Sequence, residues 1–271
     1  MNERIAFIGG GNMASAIISG LIKQGYTTTH IDVIEPLAEA RDKLQASFGV
    51  TAHAQAGAFL SNASLVIWAV KPQAFKEAAL AVAAHTAHAL HLSVAAGIRS
   101  DSIAAWLGSE RIVRAMPNTP ALIGQGISGL FARASVSNAD KALVEQVMAP
   151  TGESLWLDAE EQLDAVTALS GSGPAYVFYF MEAMTMAGVE MGLTREQAHH
   201  LAVSTFAGAS TLAKTSTEPP QVLRQRVTSK GGTTFAAIAS MEENDVRALF
   251  IDALYAARER AKELGGEFGA A

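Results

Sequence analysis

Ile5-Ala6-Phe7-Ile8-Gly9-Gly10-Gly11-Asn12-Met13-Ala14 reads as an apolar strand, a glycine turn and the start of a helix. Gly9, Gly11 and Ala14 fit the pattern G-x-G-x-x-G/A. The first glycine makes the tight turn, the second lets backbone N–H groups approach a pyrophosphate, and the small third residue lets helix and strand pack closely. The anion then rests on the positive end of the helix. A bare glycine triplet is usually only a turn. Its place at the first β–α junction is the context that turns it into a dinucleotide-binding signal.

Outward from this turn, short apolar runs alternate with helical stretches. Candidate strands are Ile5–Gly9, Ile31–Glu35, Leu65–Val70, Leu92–Ala96, Ile112–Met116, Ser128–Phe131 and Ser154–Asp158. Between them lie helical patterns at Ala14–Lys23, Ala38–Phe48, Phe75–Ala84, Ser102–Leu107 and Ala139–Met148. Nearly all-apolar strands alternating with helices predict a mostly parallel sheet covered on both faces. After about residue 160 no convincing strand remains. Helical stretches follow at Glu160–Ala168, Pro174–Met191, Arg195–Lys214, Pro220–Val227, Thr234–Glu242 and Val246–Leu264, with a frayed tail expected from Gly265. Pro174 suits a first helical turn, Gly192 a helix end, and Thr194 with Gln197 a capping box. The predicted architecture is therefore a Rossmann-type α/β domain over residues 1–160 and an all-α domain over residues 161–271.

Composition narrows the function. Charged residues make up 17% of the 271-residue chain, which favours an oligomer that buries much of its surface. The net charge of -6 argues against a nucleic-acid partner, which would need clustered Lys and Arg. Absence of cysteine removes disulfides, thiolate catalysis and Cys-type zinc sites. The N-terminus lacks the pattern of a secretory signal, and no apolar run is long enough for a membrane span, so a cytoplasmic protein is expected.

Ligands in doubly wound sheets bind outside the carboxyl ends of the strands. Glu35 ends the second strand, where a carboxylate accepts hydrogen bonds from the ribose of NAD and repels the extra phosphate of NADP. Arg41, the nearest cation, lies on the following helix. Ala69-Val70-Lys71-Pro72, Ala95-Ala96-Gly97 and Met116-Pro117-Asn118-Thr119-Pro120 fall at further strand ends. Small residues there admit a flat ring, Lys71 can meet phosphate or carboxylate, and Asn118 can hold the nicotinamide amide or ribose. In the second half, Ser170-Gly171-Ser172-Gly173-Pro174-Ala175-Tyr176 opens a long helix. Val227-Thr228-Ser229-Lys230-Gly231-Gly232-Thr233-Thr234 precedes another, and forms a second anion site of backbone N–H groups suited to a small carboxylate. Taken singly, each of these segments also reads as an ordinary turn or connector.

In this order, Gly9–Met13, Ala69–Pro72, Met116–Pro120, Ser170–Tyr176 and above all Pro220–Glu242 resemble the motifs of the pyrroline-5-carboxylate reductase family. The resemblance covers essentially the whole chain. It departs at Lys230, where the family usually has proline, and at Glu35, since many members use NADPH and carry neutral or basic residues near there. The resemblance implies NAD(P)H-dependent reduction of 1-pyrroline-5-carboxylate to L-proline, the last step of proline biosynthesis. It also implies a homodimer or higher oligomer built through the helical domain. Gly9, Gly11, Asn12, Met13, Glu35, Ala69, Val70, Lys71, Pro72, Ala96, Gly97 and Asn118 are then the cofactor residues. Ser229, Gly231, Gly232 and Thr233 hold the substrate carboxylate, while Thr234, with Lys71, serves the reacting imine.

Rival readings are weaker. A β-hydroxyacid dehydrogenase uses a lysine on the first helix of its helical domain, and Pro174–Met191 contains none. A cofactor sensor without turnover would keep Gly9–Ala14 but has no need of the Ser229–Thr234 loop. His85, His88 and His91 span a helix end and a strand start, so no shared metal site is expected.

Overall fold

Along β1 (Ile5–Ile8), Ile5 and Phe7 pack into one apolar layer while Ala6 and Ile8 pack into another. Side chains alternate across a strand, so an unbroken apolar run means cover on both faces. Each large side chain buried in this way contributes roughly 1.5–3 kcal/mol. In the computed structural model, which describes residues 3–269, these layers sandwich one eight-stranded sheet. Its strands are β1, β2 (Ile31–Ile34), β3 (Thr51–His53), β4 (Leu65–Trp68), β5 (Leu90–Ser93), β6 (Ile112–Met116), β7 (Gly126–Ala132) and β8 (Gly152–Trp156). Their order is β3-β2-β1-β4-β5-β6-β7-β8, parallel except between β6 and β7. One layer is built by α1 (Asn12–Lys23), α2 (Ala38–Phe48) and α5 (Asn138–Met148), the other by α3 (Pro72–Thr86) and α4 (Ser100–Leu107). The chain leaves β1 toward β2 and returns to its other side at β4, which opens a crevice at their carboxyl ends.

After β8 come α6 (Gln162–Val166), a π-helical turn at Thr167–Gly171, α7 (Gly173–Glu190), α8 (Arg195–Thr215), α9 (Pro220–Arg226), α10 (Thr233–Glu243) and α11 (Val246–Gly269). One compact unit comprises the residues up to Ser172 together with those from Ala257, and a second comprises Gly173–Ala256. In the second, α7 is closed by a turn through Gly192, whose φ of +100° suits glycine, and α8 opens on the reciprocal Thr194–Gln197 capping box. Gly188 lets α7 approach α8 closely: a Cβ there would lie 2.7 Å from that of Ala198. Phe178, Tyr179, Met186 and Met191 nevertheless stay exposed, an apolar surface of the kind that marks an interface.

Several expectations change. β5 is Leu90–Ser93 rather than Leu92–Ala96, because Ala95 turns back onto the Ser93 hydroxyl and Gly97 takes φ +73°. β3 was not foreseen: it is three residues long, half-buried, and carries no apolar run. The helix expected at Glu160–Ala168 is split into α6 and the π turn, where Ser172 N–H donates to Thr167 O at 2.8 Å. The tail is not frayed from Gly265: α11 runs to Gly269, with Gly265 buried against Arg99. Ala270 and Ala271 lie outside the described residues.

His91 sits fully buried at the centre of the sheet, accepting at Nδ1 a hydrogen bond of 3.2 Å from Trp68 Nε1. Burial, helped by the nearby Arg111 charge, lowers its pKa to about 4. In the unfolded chain the value returns to about 6.5. The unfolded state therefore takes up the proton first as pH falls. Stability is full above about pH 6.5 and is lost between there and about pH 4. The melting temperature is expected to drop by roughly 5 °C or more across this window. His91→Gln keeps an acceptor for Trp68 and takes up no proton, so its melting curve should vary less with pH. Equal pH dependence in both proteins would remove His91 as the cause.

Candidate active site

Gly9 ends β1 with φ +95°, and a Cβ built there would lie 2.7 Å from Ala69 O at the end of β4. Both the backbone conformation and the space demand glycine at the switch point. Gly11 differs: its φ is -71°, and a Cβ there would meet nothing within 4 Å. It is the N-cap of α1 and offers no side-chain capping bond, and the first turn carries no acidic residue. The first intrahelical bond begins at Ser15 N–H, so the amides before it, including those of Asn12 and Met13, remain available to an anion. These features fit the pyrophosphate of a dinucleotide.

Glu35 follows β2 and is bound into this turn. Its Oε2 accepts from Gly10 N–H at 3.0 Å and its Oε1 from Leu37 N–H at 3.0 Å. Arg41 is close after all: its Nη1 donates to Glu35 O at 2.9 Å and to Pro36 O at 2.6 Å. One turn of α2 brings the guanidinium back over the strand end, which sequence distance hides. The corner beyond β2 thus carries a carboxylate and a cation. Glu35→Ser should raise the NADPH/NADH ratio of kcat/KM by about tenfold, since phosphate repulsion goes and Arg41 stays. An unchanged ratio would make Glu35 a brace for the turn only.

Around the crevice, Ala69 N–H donates to Ile8 O at 2.8 Å, Val70 follows it, Lys71 is the exposed N-cap of α3, and Pro72 fills the first turn. Ala96 and Gly97 form the turn beyond β5. Asn118, beyond β6, has a structural task that sequence reading missed: its Oδ1 accepts from Ile127 N–H at 3.0 Å and fixes the start of β7. All the candidate cofactor residues therefore follow strand ends on one side of the sheet.

The second unit gathers the other group. Gly231 takes φ +75°, and Gly232, the N-cap of α10, would place a Cβ 2.8 Å from Ser229 Oγ. Here too no side chain caps the helix and no acidic residue occupies the first turn. The half-buried Thr234 hydroxyl has no hydrogen-bond partner among the described residues. Ser229, Gly231, Gly232, Thr233 and Thr234 thus converge on one open helix start, an anion-receptive arrangement.

The family described as pyrroline-5-carboxylate reductase dimerisation matches residues 160–264, and that described as NADP oxidoreductase, coenzyme F420-dependent, matches residues 4–97. The chain is 47% identical to the pyrroline-5-carboxylate reductase of Pseudomonas aeruginosa, with 98% of each chain covered. It is 40% identical to that of Haemophilus influenzae, over 97% of this chain and 98% of the relative. Among solved structures, a pyrroline-5-carboxylate reductase from Coxiella burnetii is 41% identical with a TM-score of 0.90, covering 97% of this chain and 99% of that one. The Plasmodium falciparum pyrroline carboxylate reductase with NADP bound is 28% identical with a TM-score of 0.87, over 97% and 98% of the two chains. A glycine crevice at the switch point of a doubly wound sheet, followed by a helical unit with its own uncapped helix start, fits a dinucleotide-dependent oxidoreductase. Within that class, the chain belongs to the pyrroline-5-carboxylate reductase family.

Proposed function

We propose that the protein reduces 1-pyrroline-5-carboxylate to L-proline with NAD(P)H, the last step of proline biosynthesis. The observation that carries this reading is the uncapped start of α10 behind the Ser229–Thr234 loop, in a chain so similar to named reductases. The amides of Gly231, Gly232 and Thr233, with the Ser229 hydroxyl, hold the substrate carboxylate. Thr234, whose hydroxyl has no partner among the described residues, hydrogen-bonds the ring nitrogen and orients the imine. An imine that arrives as iminium needs no strong acid, which suits a loop without a titratable group beyond Lys230. Lys71 and Asn118 border the cofactor side. Bound NAD(P)H supplies the hydride.

Along the sequence, residues 1–160 are assigned to cofactor binding and residues 161–271 to substrate binding and self-association, with the end of α11 packing back onto the cofactor-binding unit. The exposed apolar residues of α7 support a homodimer or a higher homo-oligomer. No helix among the described residues is long and apolar enough to cross a membrane, and we place the enzyme in the cytoplasm. The test is loss of NAD(P)H absorbance with 1-pyrroline-5-carboxylate, run beside sedimentation of the active species. Turnover by a dimer or larger species is expected. Cofactor binding without turnover would replace this reading with that of a sensor.

A further inference from the structure

The turn at Ala96–Gly97 runs directly into α4, and the first residue of α4, Ser100, is held by one carboxylate. Glu160, in the turn before α6, accepts from Ser100 N–H at 2.6 Å through Oε1 and from Ser100 Oγ at 2.6 Å through Oε2. The same Oε1 accepts from Arg114 Nη1 of β6 at 2.7 Å. Acid and guanidinium are both largely buried, with side-chain exposures of 13% and 7%. A turn later, Asp164 accepts from Arg99 Nη2 at 2.6 Å. Beyond α6, the π turn brings Gly171 against Met116 at the end of β6, so close that a Cβ would lie 2.5 Å from the methionine methyl. One short segment therefore touches both the start of α4, just after the Ala96–Gly97 turn, and the last residue of β6. A buried ion pair is a poor source of net stability, because desolvating the charges offsets their attraction. Its geometric effect is the stronger one: the carboxylate fixes Ser100 relative to Arg114, and hence Gly97 relative to Met116.

We infer that Glu160 is a positioning residue for the reductase reaction, holding the Ala96–Gly97 turn at a fixed distance from the Met116–Asn118 strand end. This rests on the function proposed above. It touches neither substrate nor cofactor and acts through Ser100 and Arg114. Small displacements at a reacting centre cost rate more than they cost binding. Glu160→Ala removes all three contacts. Its kcat is expected to fall at least tenfold, with a smaller change in the KM for cofactor, at temperatures well below its melting point. Amide exchange should rise about tenfold at residues 97–101 and stay unchanged along β1 and β2. Glu160→Gln keeps an acceptor oxygen in place but leaves Arg114 without its counter-charge. It should melt earlier yet recover most of the lost kcat. A purely structural residue would give lower melting temperatures in both variants with unaltered kcat, and that result overturns the inference. So does unchanged exchange at residues 97–101 in Glu160→Ala. The exchange measurement needs no turnover, so it decides this point even if the native protein fails to reduce 1-pyrroline-5-carboxylate, a failure that would strike the proposed function instead.

Discussion

Gly11→Val is expected to weaken NAD(P)H binding by about a hundredfold, or roughly 2.8 kcal/mol, while the protein melts within a few degrees of the native one. The two halves of this expectation have separate physical origins. A side chain at Gly11 meets no protein atom within 4 Å, and its φ of -71° is open to any residue, so the fold has little to lose. The empty space in front of that Cα is where the proposed pyrophosphate site meets the first amides of α1, and two methyl groups would fill it. Gly9→Val is the contrasting variant. There φ is +95° and the new Cβ would strike Ala69 O, so the crevice itself cannot form and the protein should express poorly. Fluorescence titration of the cofactor, with a thermal melt, separates the two. Native affinity in Gly11→Val would mean that the phosphates lie elsewhere.

Thr234→Ala is expected to lower kcat for 1-pyrroline-5-carboxylate by tenfold or more, about 1.4 kcal/mol of barrier, with cofactor affinity nearly unchanged. A threonine near a helix start is often a cap, and losing a cap costs about 0.5–2 kcal/mol of stability. In this protein Gly232 is the N-cap and Thr234 sits inside the first turn with its hydroxyl unpartnered among the described residues. The melting temperature should therefore barely move, and the loss should appear in turnover. Thr233→Ala is the control, since its backbone amide is assigned the larger part. Steady-state kinetics on both variants decide the matter. An early melt with normal turnover at low temperature would return Thr234 to a capping role and leave the imine nitrogen to another group.

What the sequence discloses follows how local the cause is. β1 and its glycine turn are plain, because burial on both faces demands the uninterrupted run Ile5–Ile8 and the turn needs glycine. α2 spans Ala38–Phe48 as its pattern predicts, closed by Gly49 in the left-handed region. β5 was misplaced because its second residue is His91, a polar side chain at a fully buried position, made tolerable by Trp68 across the sheet. α11 was cut short because Gly265, Gly266 and Gly269 lower helix propensity. Gly265 is there to admit Arg99, a residue far away in sequence. At the site, the glycine pattern and the Ser229–Thr234 loop were legible from residue type alone. The hydrogen bonds of Glu35 to Gly10 and of Asn118 to Ile127, the return of Arg41 to the strand end, and the grip of Glu160 on Ser100 depend on tertiary geometry and have no sequence signal of their own.

The sheet-bearing unit takes its last piece from the far end of the chain, since residues from Ala257 onward belong to it. Leu264 and Phe268 pack at Gly97, and the Ser102 hydroxyl donates to Gly269 O at 3.2 Å. During synthesis, N-terminal domains ordinarily fold while the rest of a chain is still being made. Here the sheet-bearing unit stays unfinished on the ribosome until α11 has been made. A gene fragment that stops after Ser172 would encode every strand and still lack the closing helix, so a transplant of this half into another enzyme must carry the final turns with it.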